Sequence, residues 1–291
     1  MANPILPTNG THELQERYTQ EIIALKRKQN VIRNFFNTDY VGDPRAGAVK
    51  FAKRDTEVSV GAYDVTDGAA LGSSATEYVN VIVGQNLAVN ELIDGYEAAA
   101  VPDNLVAQRL ESAAFSMGRK QEIDAITILN NQGTAESDDT ETAATDVYEA
   151  IVASIRDVKK LGIPKETLVV AISDEVEAKL LSDQKYVNTA SNIGAEVART
   201  GVVNRIAGVP VVVSSNLSEG WTGDDDGTVT EWIVFSTLFA ATAEEWMVEP
   251  TIMDLMDGAH IGASALQGRM VYQDVLLRPE ACRVKTIAPA T

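Results

Sequence analysis

The chain of 291 residues contains one cysteine, Cys282, and two histidines, His12 and His260. A single cysteine excludes a disulfide framework within the chain and points to a reducing, cytosolic setting. Cys282 falls in a strand-like stretch near the C-terminal end, where a free thiol reads as a small buried hydrophobe rather than a reactive group. His12 is followed by Glu13 but by no second histidine one helical turn later, and His260, in DGAHIGAS, has no Cys or His beside it. Neither supplies the three or four ligands of a zinc centre. Basic residues are also scarce: 24 Lys and Arg stand against 42 Asp and Glu, a net charge of −18. Such a surface repels a polyanion unless a local basic patch intervenes, which argues against a sequence-specific DNA reader. It suits a protein that stays soluble at high concentration. No apolar run approaches the ~18 residues of a membrane-spanning helix. The opening MANPILPTNGTHELQ lacks the charged-then-apolar layout of a signal peptide.

The common catalytic motifs fail as well. Residues 42–47 have phosphate-loop spacing, but Ala48 and Val49 stand where the Lys and the Ser or Thr would reach phosphate and Mg²⁺. No GxGxxG brings backbone amides to a pyrophosphate, and no GxSxG exposes a nucleophilic serine. The Asp224-Asp225-Asp226-Gly227 run resembles a calcium loop only at its centre. With Gly227 as the loop glycine, Thr222 takes the first ligand position and Ile233 the place of the bidentate Glu. Glu244, Glu245, Asp254 and Asp257 are the nearest approach to paired carboxylates. Glu244 and Glu245 are neighbours in a strand-like stretch and should point to opposite faces, so all four read as surface charges. No cofactor and no catalytic or metal-binding residue is expected.

What is present is regular structure of both kinds. From Thr11, apolar residues at Leu14, Tyr18, Ile22, Leu25 and Ile32 predict a helix. Its polar side gathers Lys26, Arg27, Lys28 and Arg33, which read either as a solvated face or as a contact for nucleic acid or an acidic partner. Residues 38–47 are turn-rich. Residues 48–65 and 76–83 lean to strand, with Val58, Val60 and Ala62 alternating with polar or small residues as in a half-buried strand. Between them lies DGAALGSSA, residues 67–75, so the pair reads as a long hairpin with a flexible tip. Two strands alone are marginal, so this hairpin should rest on something else, such as another subunit. Pro102 and Asp103 open a long helix to about residue 131, its stripe (Val106, Leu110, Ala114, Met117, Ala125, Leu129) broken for one turn at Gln121. GTAESDDTETAAT, residues 133–145, is the best boundary between two regions.

Asp146 caps the next expected helix, striped by Val147, Ile151, Ile155, Val158 and Leu161 and stopped by Gly162 and Pro164. Residues 167–173, TLVVAIS, read as a fully buried strand, and Asp174 with Glu177 as a capping box before a short helix. Strand, helix, strand predicts an α/β middle region with a central sheet. Residues 200–215, TGVVNRIAGVPVVVSS, place a turn at Gly208-Val209-Pro210 directly before the strand Val211-Val212-Val213. After a second acidic loop, residues 220–230, the chain is mainly strand-like.

GVVNRIAGVPVVVSSNL (201–217) and QDVLLRPEACRVKTI (273–287) resemble stretches of the tailed-phage major capsid proteins of the HK97-like fold. The order of elements follows that family over most of the chain. The resemblance implies an α+β fold: an N-terminal arm (1–37), an extended E-loop hairpin (38–85), a P-domain with a long spine helix (86–145), an α/β A-domain (146–242), and return strands to the P-domain (243–291). It implies a non-enzymatic protein that self-assembles into pentamers and hexamers, closing as an icosahedral shell around double-stranded DNA. Implied partners are further copies of itself, a separate scaffold protein, a portal and decoration proteins, with no membrane. The implied location is the virion capsid, assembled in the host cytoplasm. Intersubunit contacts fall on Lys50, Lys53, Arg54, Asp67, Gly68 and Leu71, and an interior basic face on Lys26, Arg27, Lys28 and Arg33. The lysine–asparagine crosslink of some members is not carried over, because no partner asparagine or catalytic carboxylate is identifiable. Two alternatives stay open: an encapsulin-type cellular compartment, and a small-molecule enzyme built on the α/β region.

Overall fold

The computed structural model describes residues 31–53, 60–66, 68, 77–93, 105–136, 140–183, 185–187, 205–217, 229–255 and 262–287. The helix expected from residue 11, the Pro102-Asp103 cap, most of the 67–75 tip and most of the second acidic loop lie outside these residues.

In chain order, a 3-10 turn at Arg33–Phe35 leads to β1 (Tyr40–Val41), β2 (Ala48–Lys53), β3 (Glu77–Ile82) and β4 (Gln85–Ile93). Then come α1 (Leu105–Gln132), β5 (Thr134–Ala135), α2 (Val147–Lys159), β6 (Leu168–Ile172), α3 (Asp174–Ser182), β7 (Arg205–Ile206) and β8 (Val209–Val213). The chain finishes with β9 (Val229–Ser236), β10 (Ala240–Asp254), β11 (Ser264–Leu276) and β12 (Cys282–Ile287). Three sheets result: β1-β2-β3, β10-β11-β4 and the six-stranded β5-β12-β9-β6-β8-β7.

The six-stranded sheet holds the main core, and its central strands explain their own composition. Along β6, Leu168, Val170 and Ile172 pack with Val147, Ile151, Ile155 and Val158 of α2, while Val169 and Ala171 face Ala125, Ile126 and Leu129 of α1. β9 divides the same way, Trp232 and Val234 against Ile233 and Phe235. Side chains alternate across a strand, so one covered on both faces needs an uninterrupted apolar run. Each large side chain so buried contributes about 1.5–3 kcal/mol.

Helix α1 joins two sheets. At 28 residues it spans ~42 Å at ~1.5 Å per residue. Its C-terminal half covers the six-stranded sheet. Its N-terminal half covers the β4-β10-β11 sheet, through Ala113 against Ile93 and Leu266, and Met117 against Met270 and Tyr272.

Several local expectations need correction. The strand expected over 48–65 stops at Lys53 among the described residues. Val60 is 93% exposed and Ala62 is exposed as well, with no described residue covering them. The cap of α3 is Ser173, whose hydroxyl accepts from the Val176 amide at 3.4 Å, so Asp174 sits inside the first turn. Asp146 holds the cap position of α2 but its side chain makes no capping bond. The turn placed at 208–210 is one step earlier: Ala207 (φ 49°) and Gly208 (φ 81°) reverse the chain between β7 and β8. Both residues of a tight hairpin turn of the I′ kind take positive φ, which glycine adopts freely and alanine does not. Pro210 lies within β8, opposite Arg205 and just before pairing with β6 begins at Val211. A residue without an N–H is tolerated at such a strand end. The proposed boundary at 133–145 is partly woven into the core. β5 pairs in parallel with β12, and Thr142 donates from both its amide and its hydroxyl to the buried Glu231.

Gly133 closes α1 where no side chain fits: a Cβ there would lie 2.5 Å from the Leu129 carbonyl oxygen and 2.8 Å from Val284 Cγ2. Gly133→Ala is therefore expected to destabilise the unassembled chain by about 1–3 kcal/mol, as overpacking does. Denaturant unfolding checks this, and an unchanged midpoint would show that the end of α1 relaxes without cost.

Candidate assembly interface

The chain leaves its N-terminal segment through a buried polar latch. The backbone N–H groups of Val31, Ile32 and Arg33 donate to the Glu122 carboxylate at 3.0, 2.9 and 3.2 Å. Glu122 is fully buried in the middle of α1, next to Gln121. The Arg33 guanidinium reaches Asp274 at 3.2 Å, Glu244 at 2.5 Å and the Thr242 hydroxyl at 2.7 Å, and lies 5.4 Å over the Tyr272 ring. The Tyr272 hydroxyl donates to Asp124, and Gln121 donates to Glu244 at 3.2 Å. The polar break in the α1 stripe is thus the anchoring point that ties α1 to the N-terminal segment and to β10 and β11.

Burial sets the electrostatics of this latch. Burial raises the Glu122 pKa above the ordinary carboxylate range, although the three amides and Arg33 oppose it. Burial also raises Asp274, against the pull of Arg33. For Arg33 burial works against the charge, but Asp274 and Glu244 outweigh it and the guanidinium is held above its usual value. Burial, with Asp124, pushes the Tyr272 phenol upward.

This changes the reading of two groups. Arg33 does not belong to an interior-facing basic cluster: its side chain is 10% exposed and occupied by carboxylates of its own chain. Lys26, Arg27 and Lys28 lie outside the described residues. Glu244 and Glu245 point to opposite faces as expected, but each is paired, Glu244 with Arg33 and Glu245 with Arg45 at 2.6 Å.

The expected intersubunit contacts fall on the small sheet and the arm beyond it. Lys50 is exposed on β2, on the face opposite buried Val49 and Phe51. Lys53, at the end of β2, pairs with Glu77 of β3 at 3.2 Å. Gly68 (φ 75°) exchanges both backbone hydrogen bonds with Asp64, whose side chain accepts from the Thr66 amide at 2.7 Å. Arg54, Asp67 and Leu71 lie outside the described residues. Around this turn the arm carries apolar side chains in water: Val60 is 93% exposed, Val65 91% and Tyr63 73%. Of these three, Val60 belongs to the Val58-Val60-Ala62 alternation, whereas Tyr63 and Val65 lie outside it.

The described residues thus comprise an arm with exposed apolar side chains, a long helix bridging two sheets and a six-stranded sheet flanked by helices. The capsid structure of cyanophage P-SCSP1u has this architecture at a TM-score of 0.71 and 15% identity, covering 98% of this chain and 93% of that one. A structure from Mycobacterium phage Che8 matches at 0.68 and 21% identity, over 89% of this chain and 91% of that one. The virus-like particle from Pyrococcus furiosus matches at 0.55 and 11% identity, over 92% and 96%. At these identities the likeness establishes the HK97-like α+β fold. No curated protein matches the sequence. The family model described as phage capsid protein matches residues 93–283, well over half the chain, and this chain belongs to that family. It is a major capsid protein that forms the virion shell.

Removing Arg33 would leave Asp274 buried without its cation. Arg33→Ala should cost about 3–5 kcal/mol, and less than the sum when combined with Asp274→Asn, since the two act as one unit. The pH dependence follows from the raised carboxyls. Both bind a proton more tightly in the folded chain, so their stabilising contribution is complete below the ordinary carboxylate range near ~4 and is lost as pH rises through the folded pKa. The thermal midpoint of the unassembled chain is expected to rise as pH is lowered toward the ordinary carboxylate range, with a shallower slope in Glu122→Gln. A midpoint that falls steadily over that window would overturn the assignment.

Proposed function

We propose that copies of this chain form pentamers and hexamers that close as an icosahedral shell around double-stranded DNA. The observation that carries this reading is the arm around residues 60–66. Large apolar side chains at 73–93% exposure are stable only when laid on another surface, and a neighbouring copy supplies one in a shell. Contacts of standard size bury about 1,200–2,000 Å², and repetition around a closed shell turns modest contacts into strong ones.

In this reading residues 1–37 are the N-terminal arm, 38–85 the E-loop, 86–145 the P-domain with its spine, 146–242 the A-domain and 243–291 the return strands. Lys50, Lys53, Arg54, Asp67, Gly68 and Leu71 meet the adjacent subunit. Lys26, Arg27 and Lys28 face the interior, where they offset the acidic surface toward packaged DNA without reading its sequence. The role is mechanical, not catalytic. A separate scaffold protein, a portal and decoration proteins complete the particle, which assembles in the host cytoplasm. The family match over residues 93–283 supports the phage reading over a cellular compartment.

Deleting residues 68–74 from the full chain should abolish shells while leaving the subunit fold intact. Negative-stain electron microscopy, sedimentation velocity and circular dichroism on the same samples read both outcomes. Shells at normal yield from the deletion would reject the arm as the assembling element.

A further inference from the structure

The surface of the α/β region carries a basic depression that the shell reading leaves without a role. It has a volume of about 370 Å³, a floor that includes Val152 and Ile155, and a rim of Arg156, Lys159, Lys160 and Lys165. Asp157 pairs with Arg156 at 3.2 Å and with Lys160 at 2.9 Å, whereas Lys159 and Lys165 make no ion pair among the described residues. A cationic end of α2 suits the dipole of that helix. Lys165 does not arise that way, because it lies beyond α2 in the 3-10 turn Lys165–Thr167 that leads into β6. Cations in excess around an apolar floor are unusual on a chain of net charge −18. They call for an occupant that is acidic and also carries an apolar side chain.

The other end of the same sheet face presents such a surface. Helices α2 and α3 share one core with β6, in which Ile151 and Ile155 of α2 and Val176 and Leu180 of α3 pack with Leu168, Val170 and Ile172. Lys165 precedes β6 and α3 follows it, so depression and α3 start lie at opposite ends of that strand. The outward side of α3 holds Asp174, Glu175, Ala178 and Leu181, all exposed. Residues one, four and seven positions apart share one side of a helix in this way. The one cation of α3, Lys179, is turned away from them to Glu141 at 2.9 Å and Glu231 at 3.1 Å. What remains is a rigid acidic surface with a single large apolar side chain. Within one subunit no cation of the rim pairs with an α3 carboxylate among the described residues.

We propose that the depression rimmed by Arg156, Lys159, Lys160 and Lys165 receives the outward side of α3 from a neighbouring copy. Leu181 seats on the Val152 and Ile155 floor, and Asp174 and Glu175 meet the lysines. This rests on the reading that copies of the chain build the shell. A nucleic-acid backbone would answer the charge of the rim but leave the apolar floor in water, whereas α3 answers both. The two surfaces differ and lie at opposite ends of one strand, so the contact is head-to-tail, and a head-to-tail contact closes into a ring when its rotation allows. Complementary charge then fixes which neighbour is accepted and in what register.

Two experiments on full-length chain test this. Particles assembled from a mixture of unlabelled and isotope-labelled chain are treated with a carbodiimide, which joins a lysine to a carboxylate when the two are in contact. Peptide mass spectrometry should find Lys159 or Lys165 joined to Asp174 or Glu175, with labelled peptides linked to unlabelled ones. In parallel, Lys159→Glu with Lys165→Glu should lower the assembled fraction about tenfold or more, as like charges meet across the contact. Adding Asp174→Lys and Glu175→Lys should restore it, which a variant that had merely failed to fold would not do. Particles without the mixed link, unaltered assembly after the lysine reversal, or loss that the α3 reversal does not rescue (the result expected for nucleic acid in the depression) would each overturn the inference. The unmodified chain separates the two levels. If it forms no ring or shell, the shell reading fails and takes this contact with it; shells lacking the mixed link reject the contact alone.

Discussion

A buried carboxylate in the middle of a long helix is costly unless its surroundings answer it, and the rest of this structure is arranged around that cost. Glu122 sits at 0% exposure on α1, at the point where the helix passes from one sheet to the other. Three consecutive amides of the incoming chain answer it, and the third of those residues is Arg33, whose guanidinium answers Asp274 and Glu244 in turn. The desolvation of such groups is repaid only when every member is in place. An apolar contact of similar size would stabilise equally well, but it would not fix the register of residues 31–33 against α1 so narrowly.

The same chain holds two regimes of packing. The six-stranded sheet is covered on both faces, and β6 and β9 are buried along almost their whole length. Among the described residues the pairing of β2 ends at Lys53, and Val60, Tyr63 and Val65 are 93%, 73% and 91% exposed. A protein that functioned alone would gain nothing from the second regime. For a subunit the division is sensible, because exposed apolar area is a driving force for association.

How far the sequence reveals this depends on the range of the interaction. Periodicity is local, so α1, α2 and the doubly buried β6 were readable from spacing. Where local chemistry offered two answers, the structure chose by tertiary fit. Ser173 rather than Asp174 caps α3, and an alanine at positive φ carries the 207–208 turn that Gly-Val-Pro had claimed. The latch was not readable. Arg33 and Asp274 are 241 positions apart, and each looks like an ordinary surface charge in its own neighbourhood. Gln121-Glu122 did register, but only as an interruption of the apolar stripe. Of the candidate contact residues, Lys50 and Lys53 lie on β2 and Gly68 in the turn it closes with Asp64. The apolar residues beside them belong to a stretch read as part of a hairpin that should rest on something else, such as another subunit.

Charge bookkeeping gives the association its character. Many cations of the described residues are committed to carboxylates of the same chain: Arg33, Arg45, Lys53, Lys120, Lys179 and Lys185 all have acidic partners within 3.2 Å. With a net charge of −18, two subunits meeting at arbitrary orientations repel each other, and that repulsion reaches about 8–10 Å at physiological ionic strength. A productive encounter must therefore bring together the places where the acidic field is locally reversed or where apolar area outweighs it. Specificity of this kind comes from penalising wrong contacts as much as from rewarding right ones. It also permits each right contact to be weak. A weak contact can be released and corrected during growth, whereas a subunit engaged on several sides at once gains the effective concentration of all its neighbours and is held. An acidic surface interrupted by a few basic or apolar sites thus disfavours arbitrary association.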